Sequence, residues 1–207
     1  MFLAVAGNIG VGKSSLTQLL AQRYALEPVY EAVDENPYLE DFYRDMRRYA
    51  FHSQIFFLSR RLEQHLAQVN PGSRVIQDRT IYEDAAIFAR NLFEEEVMDA
   101  RDYSSYRAMY EAIRRTLKPP DLLIYLRSSV PTLQTRIAQR GRSYETTIQV
   151  SYLEQLSRLY DEWIESYDLS SKLTLDADRL DFVNKEEDLQ AVMTRLEPYG
   201  LTSPILP

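Results

Sequence analysis

The run Gly7-Asn8-Ile9-Gly10-Val11-Gly12-Lys13-Ser14 limits this chain more than any other feature. It follows a short apolar stretch, Phe2–Ala6, and precedes Leu16, Leu19 and Leu20 at helical spacing, so it reads as strand, loop and helix. The spacing is G-x-x-x-x-G-K-[ST]. In that context backbone N–H groups at the helix start cradle phosphates, Lys13 reaches the β and γ oxygens, and the Ser14 hydroxyl ligates Mg²⁺. A glycine-rich turn without chemistry needs neither the Lys-Ser pair nor the flanking elements. The loop from Gly7 to Ser15 is therefore the candidate site for the phosphates of ATP.

The remaining chain alternates strands and helices. A short run at Pro28–Tyr30 is followed, after Asn36-Pro37, by a helical pattern over Leu39–Val69 that Pro71-Gly72 ends. Arg74–Gln77 reads as a strand, Ile81–Phe93 as a helix, and Tyr103–Leu117 as a helix stopped by Pro119-Pro120. Leu122–Leu126 is a buried strand, followed by helices over Val130–Gln139 and Ser151–Tyr167, a strand at Leu173–Leu175 and a helix at Lys185–Leu196. This alternation predicts a parallel α/β sheet with helices on both faces. A tail from Gly200 to Pro207 is expected to be irregular. At 207 residues the chain is expected to be one domain, over 1–207.

Composition removes several classes of function. No cysteine is present, which excludes disulfides, Cys-ligated zinc and thiol catalysis. The net charge of −7 opposes a broad nucleic-acid surface, and no window approaches the ~20 apolar residues of a membrane span. Met1 leads directly into the first strand, so no targeting segment is expected and a cytoplasmic location is inferred.

The phosphate acceptor is sought at the carboxyl ends of the other strands, where open α/β sheets bind ligands. Glu31 follows Pro28-Val29-Tyr30 and Asp78 ends Arg74-Val75-Ile76-Gln77, which places both carboxylates beside the phosphate loop. One can accept a hydroxyl proton and the other can help hold Mg²⁺; either alone is equally a helix N-cap or a loop acid. Arg79 stands next to Asp78, suited to the acceptor oxygen or the transferring phosphoryl group, or else to a structural ion pair. Arg136 and Arg140 share a helix face at i,i+4, and Arg142 lies just beyond Gly141. Like charges so placed are relieved by an anion, as in a lid closing over a triphosphate; otherwise they are a solvated helix end.

Together these residues resemble the deoxynucleoside kinase family, and more closely its bacterial deoxyadenosine, deoxycytidine and deoxyguanosine kinases, from Phe2 to about Leu196. Glu31-Ala32-Val33 with Asp34-Glu35-Asn36-Pro37-Tyr38-Leu39 looks like the segment bearing the general base, here Glu31. Asp78-Arg79-Thr80 looks like the acid-Arg-Ser motif, and Arg136, Arg140 and Arg142 correspond to lid arginines. The resemblance implies a P-loop kinase: a three-layer α/β/α fold, a five-stranded parallel sheet in the order 2-3-1-4-5, and an Arg-bearing lid at about 139–150. Its implied nucleoside site has Gln54 at the base edge with Asp84 and Arg61, Tyr43 and Glu154 on the sugar 3′-hydroxyl, and Phe51 and Phe88 as candidates to pack on the base. Asp181-Phe182 looks like the loop that packs on the adenine of ATP. Many eukaryotic members carry a Trp shortly after the catalytic Glu, whereas the one Trp here is Trp163.

The expected reaction is transfer of the ATP γ-phosphate to the 5′-hydroxyl of a deoxynucleoside, with Mg²⁺, in nucleotide salvage. Adenine and cytosine present an amine beside a ring-nitrogen acceptor, which suits Asp84 and Gln54, so deoxyadenosine is favoured, deoxycytidine second and deoxyguanosine the alternative. A nucleoside monophosphate kinase such as thymidylate kinase is the rival enzyme, though it needs extra basic groups for the acceptor's phosphate. A non-catalytic nucleotide-binding family member is the rival outside catalysis. The resemblance also implies a homodimer, for which the stripe Tyr103, Tyr106 and Tyr110 is a candidate contact or, equally, intramolecular core.

Overall fold

The computed structural model describes residues 1–31, 35–72, 74–142, 145 and 148–202. Ala32, Val33 and Asp34 of the expected base segment, four positions of the expected 139–150 lid and the end of the tail lie outside the described residues.

Five parallel strands form one sheet: β1 (Phe2–Gly7), β2 (Glu27–Val29), β3 (Val75–Asp78), β4 (Leu122–Arg127) and β5 (Ser171–Asp176), in the order β2-β3-β1-β4-β5. The expected order 2-3-1-4-5 is the one observed. β1 and β3 are buried along their whole length while β2 and β5 alternate or open to solvent, as required of central and edge strands in a sheet covered on both faces. Successive side chains of β1 separate into two cores. Leu3 and Val5 pack with Leu16 and Leu20 of α1 (Lys13–Tyr24) and Val192 of α9 (Glu186–Leu196). Phe2, Ala4 and Ala6 pack with Ile87, Leu156 and Tyr160 on the opposite face.

That second face is built by α4 (Ile81–Glu83), a π stretch Asp84–Ala89 continuing into α5 (Arg90–Glu94), and α8 (Val150–Ser166). Two further helices, α3 (Met46–Gln64) and α6 (Ala100–Arg114), pack outside them through Leu58, Tyr106 and Tyr110. α7 (Val130–Arg140) has Pro131 at its start and Gly141, at φ 69°, at its end.

Three elements differ from the sequence reading. The single helix expected over Leu39–Val69 is broken into α2 (Leu39–Arg44) and α3, because Asp45 leaves helical geometry at φ −142°, ψ 80° and its carboxylate accepts from Arg48 N. α3 then ends in a π turn, His65–Val69. α6 starts at Ala100 rather than Tyr103, since Asp99 accepts from the Arg101 and Asp102 N–H groups at 2.9 Å each and caps it. The stripe Tyr103, Tyr106 and Tyr110 faces inward: Tyr106 and Tyr110 are buried, and Tyr103 stacks on Phe93 with centroids 4.3 Å apart. Tyr106 and Tyr110 therefore belong to the core, while Tyr103 is half-buried beside the exposed Phe93.

Candidate active site

β1 has neighbours on both sides, and the chain leaves it first toward β3 and later toward β4, so a crevice opens beyond its carboxyl end. The phosphate loop lies there. Gly10 and Gly12 take φ of 81° and 107°, left-handed geometry that glycine adopts freely. A Cβ on Gly10 would meet Ile137 Cγ1 at 2.7 Å, so the loop sits close against α7. Lys13 Nζ folds back to donate to Asn8 O at 3.0 Å. Burial and the nearby Arg79 bring the Lys13 pKa down to about 8, against the pull of Asp78, Glu31 and Glu83. Asn8 ties the loop to α8, its Nδ2 donating to Leu153 O at 2.9 Å and Ser157 Oγ at 2.8 Å. The Ser14 hydroxyl donates to Asp78, whose other oxygen, Oδ1, is buried without a hydrogen-bond partner.

Two cavities meet at this loop. The larger, of about 830 Å³, runs between the loop, Arg136 of α7 and the segment Asp178–Lys185 after β5, with Ser15, Asp181 and Phe182 in its wall. The smaller, of about 280 Å³, extends toward α2 and α3 and is lined by Glu31, Tyr43, Gln54, Phe57, Arg79 and Phe88, among others. Gly10, Lys13, Ser14, Arg140 and Arg142 border both.

A buried ion network stands at the junction. Glu31 Oε1 accepts from Arg61 Nη2 at 2.6 Å and from Arg79 Nη1 at 3.0 Å. Arg61 also bonds Asp84 through Nε and the Arg79 carbonyl through Nη1, the latter at 3.2 Å. Burial alone would push Glu31 up, but Arg79, Arg61 and Lys13 overcome it and hold the carboxyl at about 2. Burial pushes Asp84 up, with Arg61 opposing. Arg79 adopts φ 63°, uncommon for a non-glycine residue, and its guanidinium lies 4.2 Å from the Phe88 ring centroid.

The sequence-predicted residues are thus only partly brought together. Glu31, Tyr43, Gln54, Arg79 and Phe88 line one cavity, whereas Arg61 and Asp84 are buried behind the wall, bonded to each other. Phe51 packs into the α3–α6 core instead of the cavity. Glu154 is exposed on α8 and lines neither cavity; Tyr152, two residues earlier, lines the smaller one. Glu145 stands there too, joined to Arg140 by two bonds of 2.6 and 3.0 Å. Arg136, Arg140 and Arg142 all border the larger cavity, although Arg136 and Arg140 hold different partners. Arg136 donates to Val11 O and Ala177 O, both at 2.8 Å, and clamps the loop to the end of β5. Asp181 accepts from Asn184 N and Nδ2, and Phe182 lies 3.2 Å from a Cβ built on Gly12.

Sequence reasoning missed Glu145, Tyr152 and Glu83. Glu145 was legible as an acid three residues past Arg142, and Glu83 as the fourth residue of the capping box Thr80-Ile81-Tyr82-Glu83. Tyr152 carries no local signal. Among the described residues no helix is long and apolar enough to cross a membrane.

A family model described as deoxynucleoside kinase matches residues 3–199. The deoxyadenosine/deoxycytidine kinase of Bacillus subtilis (strain 168) is 38% identical over 196 residues, covering 94% of this chain and 90% of that protein. A deoxyguanosine kinase of Lactobacillus johnsonii is also 38% identical, over 203 residues, with 94% and 90% covered. Among solved structures, a deoxyadenosine kinase from M. mycoides with bound dATP superposes with a TM-score of 0.84 at 32% identity, covering 95% of this chain and 100% of that one.

Proposed function

This chain belongs to the deoxynucleoside kinase family, and on that premise we propose a reaction and a role for each residue at the junction of the two cavities. ATP gives its γ-phosphate to the 5′-hydroxyl of a deoxynucleoside, leaving ADP and the deoxynucleoside 5′-monophosphate. The observation that carries this reading is the position of Glu31. It lines the smaller cavity, is held by Arg79 and Arg61, and lies where that cavity meets the phosphate loop. ATP occupies the larger cavity, its phosphates on Gly7–Ser15 and its adenine against Asp181-Phe182.

Glu31 receives the 5′-hydroxyl hydrogen bond and takes the proton as the new P–O bond forms. A carboxylate near 2 is a weak base, but phosphoryl transfer through a loose transition state needs the hydroxyl oriented more than it needs it deprotonated early. Arg79, Lys13 and the lid arginines neutralise charge developing on the transferring group. Arg140 reaches it by leaving Glu145, which frees that carboxylate to accept, with Tyr43, from the sugar 3′-hydroxyl. Mg²⁺ fits beside Ser14 and Asp78, because Asp78 Oδ1 is a buried acceptor without a donor. When bound, the ion neutralises charge on the β and γ phosphates, and few protein ligands suffice since Mg²⁺ keeps water and phosphate oxygens.

A monophosphate acceptor is disfavoured by the cavity's own pairing: Arg79 is bonded to Glu31, and Arg140 and Arg142 face Glu145. For the base, Gln54 presents a buried Oε1 with no partner, an acceptor for an exocyclic amine. Asp84 is paired with Arg61 behind the cavity wall, so the preference for the amine edge of adenine or cytosine rests on the Gln54 acceptor. We place deoxyadenosine first and deoxycytidine second, in the cytoplasm. A homodimer would use the outward face of α6, where Met109 is 47% exposed, and light scattering at micromolar concentration tests it. A coupled ADP-release assay with each of the four deoxynucleosides and with dTMP tests the function. Stimulation by dTMP alone, or by none of them, would overturn it.

A further inference from the structure

Glu83 lines neither cavity, yet it joins three segments that converge on the phosphate loop. It is fully buried on the first turn of α4. Its Oε2 accepts from Thr80 N at 2.8 Å and Thr80 Oγ1 at 3.2 Å, and this one oxygen completes its share of the capping box. The second oxygen is turned outward from the helix. Oε1 accepts from Tyr160 OH of α8 at 2.9 Å and from Gly7 N, at the entry of the phosphate loop, at 3.4 Å.

The Gly7 contact follows from the sheet. The β1–β3 ladder runs from Phe2↔Val75 to Val5↔Asp78, and Arg79 N closes it by donating to Val5 O at 3.0 Å. Gly7, two residues further, presents its N–H to the same side, where β3 has already ended. The Glu83 carboxylate stands in for the missing strand. On its other side Tyr160 stacks on Tyr125 at 5.8 Å and meets Phe88 edge-on at 6.4 Å, and Phe88 is the ring beneath the Arg79 guanidinium.

We propose that Glu83 is a positioning residue for phosphoryl transfer, its carboxylate fixing the entry of the phosphate loop relative to the Asp78-Arg79-Thr80 turn and to α8. The phosphate-binding N–H groups and the Arg79 guanidinium thereby keep one relative geometry. This rests on the kinase reading above and extends it to a residue that touches no substrate. The site requires an acceptor on both sides, since backbone N–H groups point at each oxygen; an amide offers one acceptor and one donor, and so opposes one of them.

The test is steady-state kinetics of the purified full chain with Mg-ATP and whichever deoxynucleoside the wild type uses best. Glu83→Gln keeps the volume, and kcat is expected to fall roughly 10- to 100-fold with the nucleoside KM within about threefold, the signature of misplacement rather than lost binding. Tyr160→Phe removes a single donor and should lower kcat by about two- to tenfold, again at nearly constant KM. Circular dichroism and Tm on the same samples separate this from unfolding. The proposal is overturned if folded Glu83→Gln keeps kcat within about twofold of wild type, or if KM rises while kcat holds. Should Glu83→Gln not fold, an unchanged kcat in Tyr160→Phe overturns it, and a reduced kcat at constant KM supports it. A wild type inactive on all four deoxynucleosides would instead refute the kinase reading, so the two failures are distinct.

Discussion

The larger cavity, proposed for the donor, and the smaller, proposed for the acceptor, share Gly10, Lys13, Ser14, Arg140 and Arg142, but they are made in opposite ways. On the donor side the phosphate-binding element is chiefly backbone, a loop of left-handed glycines and a helix N-terminus supplied by consecutive residues, which Arg136 of the cavity wall joins to the end of β5. The acceptor side is chiefly side chain: Glu31 from the end of β2, Gln54 and Arg61 from α3, Arg79 beyond β3 and Asp84 from the π stretch, joined by buried ion pairs. Backbone geometry is hard to remove by substitution, whereas a buried ion network fails when one partner is lost. Chemistry and stability are therefore expected to be coupled on the acceptor side and separable on the donor side.

Glu31→Gln gives the largest expected effect, a kcat reduction of ~10²–10⁴-fold with ATP and nucleoside binding retained. Near-wild-type turnover at saturating substrate would remove Glu31 as the base. Arg61→Met tests the coupling directly. It leaves Asp84 without its cation and Glu31 with Arg79 alone, and should cost about 3–5 kcal/mol in urea unfolding, read as a lower midpoint at constant m-value. A loss under about 1 kcal/mol would show that the network is not stabilised as a unit.

On the shared border, Arg140→Ala should lower kcat by about 10²-fold while leaving nucleoside KM and Tm close to wild type, because the side chain is one-third exposed and its charge is needed in the transition state. Unchanged kcat with a raised nucleoside KM would move Arg140 wholly to the acceptor side.

The smallest effect is in the pH dependence of stability. Glu31 is ionised in the folded protein down to about 2, against an ordinary value of 4.5. Its contribution is fully present above 4.5 and lost as pH falls through about 2, where the unfolded chain takes up the proton first. Wild type should therefore lose Tm more steeply than Glu31→Gln between those two values. Parallel profiles would show that Arg61 and Arg79 do not hold the carboxylate down.

The phosphate loop, the parallel sheet and the carboxyl-edge placement of Glu31 and Asp78 were legible in the sequence, because each depends on residues within a few positions of one another. A run of glycines, a Lys-Ser pair and an apolar strand specify backbone geometry locally; the caps Asp45 and Asp99 are equally local but go unused in helices read over Leu39–Val69 and from Tyr103. Only the tertiary structure decided that Arg61 and Asp84 bond each other behind the cavity wall, that Arg136 holds two backbone carbonyls while lining the larger cavity, and that Glu145 rather than Glu154 reaches the smaller one. It likewise decided that Tyr106 and Tyr110 are core and that Glu83 reaches Gly7, 76 residues away in the chain. Periodicity states which residues share a face, but burial and the competition of each charged group for a partner depend on which faces meet, and that is set by the packing of distant elements.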